Sequence, residues 1–362
     1  MGNKGEADLL KIAILAQQGL GDLIMAFPLF KGLQEQVNDD IEFYVIVNNK
    51  VARNFLDERF PGNKFNFIEL NGKGFARRKK IFDVALYLRR LHLDVLFTYG
   101  FFAPSKMKQL WLLLVNARKT VTTVNVPKLF GLDVNFVDVN KKVVHKSEMA
   151  NMFLCAAGFR EQDLNPVYEI KSKALTKANE IIRARFSADS PMMAIVPSCN
   201  KNNPEKIWAK DNYVDLLKKK KSFNQNYKFI FFSANEDEED FMKQITNEFD
   251  ESSCLNIVAS TYEESRAFFS LCRIVFGIDS GGLHIASTVG GPQIFGLFGP
   301  YNPELTGPIY NPCYHSITSD VDCAPCGDYR NFVGPGTYTC RDYKCMKMIS
   351  VEKVYKFMEQ YL

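Results

Sequence analysis

The stretch Asp279-Ser280-Gly281-Gly282-Leu283-His284-Ile285-Ala286 carries the densest chemistry in the chain. It follows an apolar run, Ile274–Ile278, and opens a helical pattern. Ser280 and the two glycines therefore present backbone N–H groups at the positive end of a helix dipole, the geometry that cradles a phosphate. His284, about one turn further on, shares a face with Ser280 or Gly281 and can donate to a ligand oxygen. A plainer account of the same residues is an N-capping Asp or Ser with a histidine packed in the core.

Three further residues stand where strands should end. Asp22 closes the turn Gly19-Leu20-Gly21-Asp22 after the run Lys11–Ala16. It reads either as a helix N-terminal carboxylate or as a base facing a cleft. Position 24 is Ile, so the turn is not the G-x-G-x-x-G fingerprint of dinucleotide binding. Lys206, in Asn202-Asn-Pro-Glu-Lys206-Ile-Trp208, follows the run Met192–Pro197 and can set a point charge on a phosphate or simply be solvated. Glu236 can accept from a ribose hydroxyl, or be one member of the acidic helix start Glu236–Asp240. Trp208 is suited to plugging the lobe.

Cys323, Cys326, Cys340 and Cys345 form C-x2-C-x13-C-x4-C, a spacing able to hold a structural zinc or iron; the alternative is four reduced thiols in a loop. The other five cysteines are scattered singly, as small hydrophobes are. Asp320-Val-Asp322 abuts this segment rather than a sheet end and is set aside. The basic run Gly74-Phe-Ala-Arg77-Arg78-Lys-Lys80 is a solvated face or, beside a cleft, an attractor for an anionic acceptor or a phospholipid surface.

What must position these residues is legible as a rhythm. In both halves short apolar runs alternate with helix-length stretches: Lys11–Ala16, Phe43–Val47, Phe65–Leu70 and Asp94–Tyr99, with helices over Leu23–Val37, Val51–Glu58 and Phe82–Leu91. The second half repeats the pattern with Met192–Pro197, Lys228–Phe232, Leu255–Val258, Ile274–Ile278 and Gln293–Phe298, separated by helices at Asp211–Lys221, Asp237–Phe249, Glu263–Cys272 and Gly282–Val289. The period is lost over Glu161–Lys173, a crossing between lobes, and the last helix, Val351–Tyr361, suits either lobe. Such alternation predicts an α/β chain of two Rossmann-like doubly wound lobes facing a central cleft, where ligands bind at strand carboxyl ends.

A chain of 362 residues suits two domains. Its formal charge of +4 (45 Lys+Arg against 41 Asp+Glu) is too small to argue for nucleic acid. At 46% hydrophobic and 24% charged it is ordinary globular material. No apolar run approaches the roughly 20 residues of a membrane span. Met1-Gly-Asn-Lys-Gly-Glu6 offers neither a secretory leader nor a myristoylation signal, so a reducing, cytoplasmic setting is expected.

These segments resemble glycosyltransferase family 9, the heptosyltransferases of lipopolysaccharide core assembly, over nearly the whole chain. The resemblance rests on Gly21-Asp22 through Pro28 to Leu33, on His145 ahead of the helix Ser147–Gly158, and on Lys206-x-Trp208. It continues in Asp279-Ser-Gly-x-x-His284-x-Ala286, Phe298-Gly-Pro300 and the Cys323-x-Pro-Cys326 to Cys345-Met346 tail. Ala209 stands where the family usually has Pro, Tyr301 where it has Thr, and the Cys326–Cys340 spacing is long.

The resemblance implies a GT-B architecture. Residues 1–170 would bind the acceptor and 171–349 the nucleotide-sugar, with a cysteine-rich segment at 323–345 and a terminal helix at 350–362. It implies inverting, metal-independent transfer of a sugar, typically heptose from ADP-heptose, to a hydroxyl of an anionic glycolipid or glycan, with peripheral contact at the inner membrane. Asp22 would be the general base. Lys206, Glu236, Asp279, Ser280, Gly281, Gly282 and His284 would hold the donor, and Gly21, Arg77 and Arg78 the acceptor. Another nucleotide-sugar, a protein acceptor (protein-modifying members carry a cysteine-bound metal) or a non-catalytic nucleotide-sugar binder are the rival readings. A dinucleotide oxidoreductase stands further off.

Overall fold

The computed structural model describes residues 9–16, 19–37, 41–47, 50–60, 64–70, 74–99, 106–124, 133–138, 144–187, 190–198, 203–223, 227–327, 340 and 342–362. They form two compact units that part between Leu164 and Asn165, ahead of the expected residue 170.

The first unit is built on β1 (Leu10–Leu15), β2 (Ile41–Val47), β3 (Lys64–Glu69), β4 (Val95–Thr98), β5 (Lys119–Thr122) and β6 (Val134–Phe136), all pairings parallel, in the order β3-β2-β1-β4-β5-β6. The central strands are near-continuous apolar runs because helices cover both faces of a parallel sheet. Ile12, Ala13, Ile14 and Leu15 are wholly buried accordingly.

The second unit repeats the plan. β7 (Met192–Val196), β8 (Lys228–Ser233), β9 (Cys254–Val258), β10 (Ile274–Ile278), β11 (Gln293–Phe298) and β12 (Tyr314–Thr318) lie in the order β12-β11-β10-β7-β8-β9, again all parallel. Each unit thus has its first and fourth strands side by side, with the chain turning outward on either side of them. The crevice outside the carboxyl ends of that pair is where an open α/β sheet binds ligands. In the first unit it lies above β1 and β4; in the second, above β7 and β10.

Several expectations need correction. The helix expected over Leu23–Val37 is two, Leu20–Met25 and Phe27–Gln36, broken at Ala26. Pro28 begins the second at a position where its missing N–H costs nothing. The basic run at 74–80 forms the opening turns of a long helix, Gly74–Arg90, longer than the expected Phe82–Leu91. β5, β6, β12 and the helices Lys106–Val115 and Ser172–Arg185 went unread. β5 (Lys-Thr-Val-Thr) and β12 (Tyr-His-Ser-Ile-Thr) lack an apolar run, and Ser172–Arg185 buries only Ala178 and Ile182.

The terminal helix, Val351–Met358, packs into the core of the second unit, burying Val354 and Met358. Trp208 does plug this unit. It is fully buried, edge-on to Tyr213 (4.9 Å) and Phe276 (5.9 Å), and donates its indole N–H to the Ile349 carbonyl at 2.8 Å.

Candidate functional site

In the first unit, chemistry gathers where β1 runs into its helix. Asp22 sits in the first turn of Leu20–Met25, and its Oδ2 accepts from the Gly19 amide at 3.1 Å, satisfying one of the orphan N–H groups of a helix start. Its Oδ1 is ion-paired with Lys146 Nζ. Lys146 opens the helix Lys146–Ala157, whose N-cap is His145, with Nδ1 accepting from the Ser147 amide at 3.1 Å. The lysine's own carbonyl accepts from the Tyr99 hydroxyl at 2.8 Å, and Tyr99 directly follows β4. The residue after β4 therefore fixes the partner of the β1-side carboxylate. The lysine side chain is 8% exposed and the aspartate 25%, so the cation is sealed and the acid presented.

Lys146 escaped the sequence reading. A signal existed: a lysine in the first turn stands at the end of a helix that repels positive charge, so a carboxylate partner is required. Gly21 lies within the helix Leu20–Met25. Arg77 and Arg78 belong to the helix Gly74–Arg90, and their side chains lie outside the described residues.

In the second unit, Lys206 closes a short 3₁₀ turn, Pro204–Lys206, and its Nζ lies 2.7 Å from Asp279 Oδ2. The pair joins the segment after β7 to the residue after β10, at the switch point. Here exposure is reversed, with the lysine at 19% and the aspartate at 10%. Ser280 caps the helix Gly281–Ala286 in extended conformation, but its hydroxyl makes no cap bond. Its Oγ is buried without a partner, and so are Ser233 Oγ, the last residue of β8, and Ser319 Oγ, just past β12. Buried hydroxyls are normally satisfied. The unpartnered Ser280 hydroxyl, at the carboxyl end of β10, suits a polar ligand there.

Glycines in β10 and in this turn have a packing duty as well. A Cβ on Gly282 would lie 2.7 Å from Val196 Cγ1, and one on Gly277 would lie 2.4 Å from the Val196 carbonyl oxygen. His284 is buried, and its Nδ1 is 3.2 Å from the Tyr310 hydroxyl, which also accepts from Ser287 Oγ at 3.3 Å. Burial pushes the Tyr310 phenol well above its usual range, so it is neutral at physiological pH.

Glu236 is exposed at the start of its helix, behind the Asn235 cap. The buried acid is Glu238, whose Oε2 accepts from Ser198 Oγ (3.3 Å) and the Ala234 amide (3.4 Å) and whose Oε1 accepts from Asn235 Nδ2 (3.2 Å). It ties the ends of β7 and β8 together. Glu205, beside Lys206, is also buried. Desolvation raises its carboxyl, the Asp279 charge adds to this, and Lys206 opposes it.

The four cysteines share one neighbourhood. Burial pushes the Cys345 thiol up to about 11, and the charges of Cys326, Cys340 and Cys323 act in the same direction. Among the described residues no three of His, Cys, Asp or Glu converge closely enough to hold an ion. Cys340 Sγ instead donates to Asp342 Oδ1 at 3.0 Å.

A family model described as glycosyltransferase family 9 (heptosyltransferase) matches residues 133–335. No curated protein matches the chain by sequence. Among solved structures, the glycosyl transferase family 9 protein from Veillonella parvula is similar with a TM-score of 0.69 at 18% identity, covering 98% of this chain and 97% of that one. E. coli ADP-heptose lps heptosyltransferase II gives 0.67 at 16%, covering 97% and 98%. E. coli heptosyltransferase WaaC with ADP gives 0.64 at 13%, covering 98% and 100%. These likenesses establish the fold as GT-B, with its two Rossmann-like units.

Proposed function

The chain belongs to glycosyltransferase family 9, and on that premise we propose that it moves heptose from ADP-heptose, with inversion, to a hydroxyl of an anionic glycan or glycolipid of the lipopolysaccharide-core type. The observation that carries this reading is the Lys206–Asp279 pair at the β7/β10 switch point, beside the orphaned Ser280 hydroxyl. Lys206 sets a point charge at the ligand end of the sheet, which suits phosphate oxygens. Two of the similar structures are named for ADP-heptose or hold ADP, which suits a diphosphate at this place.

Inverting transfer needs two things from the protein. A base must take the proton of the attacking hydroxyl, and positive charge must meet the negative charge that grows on the departing diphosphate. Asp22 is the base. Its ion pair with Lys146 and its bond from Gly19 lock the carboxylate's orientation, and a carboxylate with two partners still has lone pairs for an acceptor hydroxyl. Lys206 and the amides opening the helix after Ser280 serve the leaving group, so the reading requires no catalytic metal.

The anionic acceptor, and a peripheral place on an anionic membrane, fit the first unit's helices Gly74–Arg90 and Lys106–Val115. Phe82 (48% exposed), Met107 (72%) and Leu110 (47%) stand out there beside exposed Lys79 and Lys106. A basic, apolar-tipped surface of this kind favours anionic lipid headgroups. No helix among the described residues is long and apolar enough to cross a membrane.

The test is turnover with ADP-heptose against UDP- and GDP-sugars, together with a structure soaked with ADP. ADP-heptose should be the preferred donor, with diphosphate density against Lys206 and Ser280. Diphosphate bound elsewhere, or preference for another nucleotide, would overturn the reading.

A further inference from the structure

Lys206 has a second neighbour besides Asp279. Its Nζ lies 4.5 Å from the centroid of the Tyr301 ring, a range at which an aromatic face attracts an ammonium group. Tyr301 follows β11 by way of Gly299 and Pro300, and this loop is held tightly. Tyr301 forms a parallel bridge with Gly327, whose amide donates to the Pro300 carbonyl at 2.6 Å. A Cβ on Gly327 would lie 2.9 Å from both Tyr301 Cδ1 and Cε1, so the glycine lets the backbone lie against the ring. Gly299 is as crowded: a Cβ there would meet Met346 Sδ at 2.6 Å and Cys345 Sγ at 3.0 Å. The cysteine-rich segment therefore walls the loop on both sides, and the loop in turn fixes the ring.

We propose that Tyr301 is a positioning residue of the donor site, its ring face holding the Lys206 ammonium in place to receive a nucleoside diphosphate. The proposal rests on the donor role of Lys206 given above. A lysine on a four-carbon stem loses much freedom when it binds an anion. Confined between Asp279 and the ring, it has lost that freedom beforehand, and preorganisation of this kind raises affinity. The part that matters is the π face, which Phe can supply and Leu or Thr cannot.

The experiment is calorimetric titration of the full chain with ADP, for the wild type, Y301F, Y301L, Y301T, K206A and the double variant K206A/Y301L, with thermal unfolding as a check on folding. Y301F should bind within about twofold of the wild type. Y301L and Y301T should bind roughly five- to thirtyfold more weakly, the span of a partly desolvated cation–π contact. In the K206A background Y301L should add no further loss, a non-additivity that a general packing defect would not produce. Wild-type affinity in Y301L, equal losses in Y301F and Y301L, or additive losses in the double variant would each overturn the Tyr301 assignment while K206A still weakens binding. If K206A binds ADP as tightly as the wild type, the donor reading itself fails, and the assignment falls with it.

Discussion

Each unit places one lysine–carboxylate pair near the switch point of its sheet, and the two pairs are built with opposite polarity. In the first, Lys146 is sealed at 8% exposure while Asp22 keeps 25%; in the second, Asp279 is the deeper partner at 10% and Lys206 keeps 19%. The same chemical contact thus presents a carboxylate in one unit and an ammonium in the other. A presented carboxylate held by a buried cation suits proton removal. A presented ammonium held by a deeper carboxylate suits an anion. Burial, more than pairing, separates the two roles.

The largest effect should come from removing the presented acid. Asp22→Asn should lower turnover by about 10²- to 10⁴-fold, the range for a general base, while ADP affinity measured by calorimetry stays at the wild-type value. A parallel loss of affinity would blur the division between the units. Lys146→Met attacks the same pair from its buried side. It should cost about 1–3 kcal/mol of stability, below the full penalty for breaking a buried pair because Asp22 reaches solvent, and lower kcat with KM for the donor unchanged. On the other side of the comparison, Lys206→Ala should weaken ADP binding by about 10- to 100-fold through loss of charge-assisted hydrogen bonds.

Two smaller changes sharpen the second unit's half of the contrast. Gly282→Ala should destabilise by about 1–3 kcal/mol in chemical denaturation, because the new methyl meets Val196 and overpacks the β7–β10 crossing. Glu205→Gln should stabilise slightly, and only at neutral pH. Glu205 binds its proton more tightly in the folded chain, its carboxyl being raised above the ordinary 4.5. Its contribution therefore turns unfavourable as pH rises through the interval above 4.5, and the advantage of the variant should vanish below it. Denaturation midpoints across pH 3–8 would test this; a pH-independent gap would indicate packing instead.

Much of this was legible in the sequence. The central strands, as continuous apolar runs, and the glycine turns beside Asp22 and Ser280 announced two parallel sheets and their ligand ends. The strands that complete each sheet did not: β5 and β12 are mostly polar, and each buries a single aliphatic residue, Val121 and Ile317, too little to stand out as an apolar run. At the site, residues placed by local turns were found, whereas those placed by long-range contact were missed. Lys146 meets Asp22 across a separation of 124 residues. Glu238, in the same acidic run as Glu236, is distinguished only by which way its helix faces. His284 stood out by its scarcity, but the structure gives it a half-buried phenolic partner that no spacing rule announces.

The indole of Trp208 hangs from the carbonyl of Ile349, next to the helix Val351–Met358, and Lys206 is two positions upstream of that indole. Ile349 and the helix behind it therefore act as a remote brace for the lysine's loop. Unravelling that helix should loosen the anion-receiving side and spare the carboxylate-presenting one.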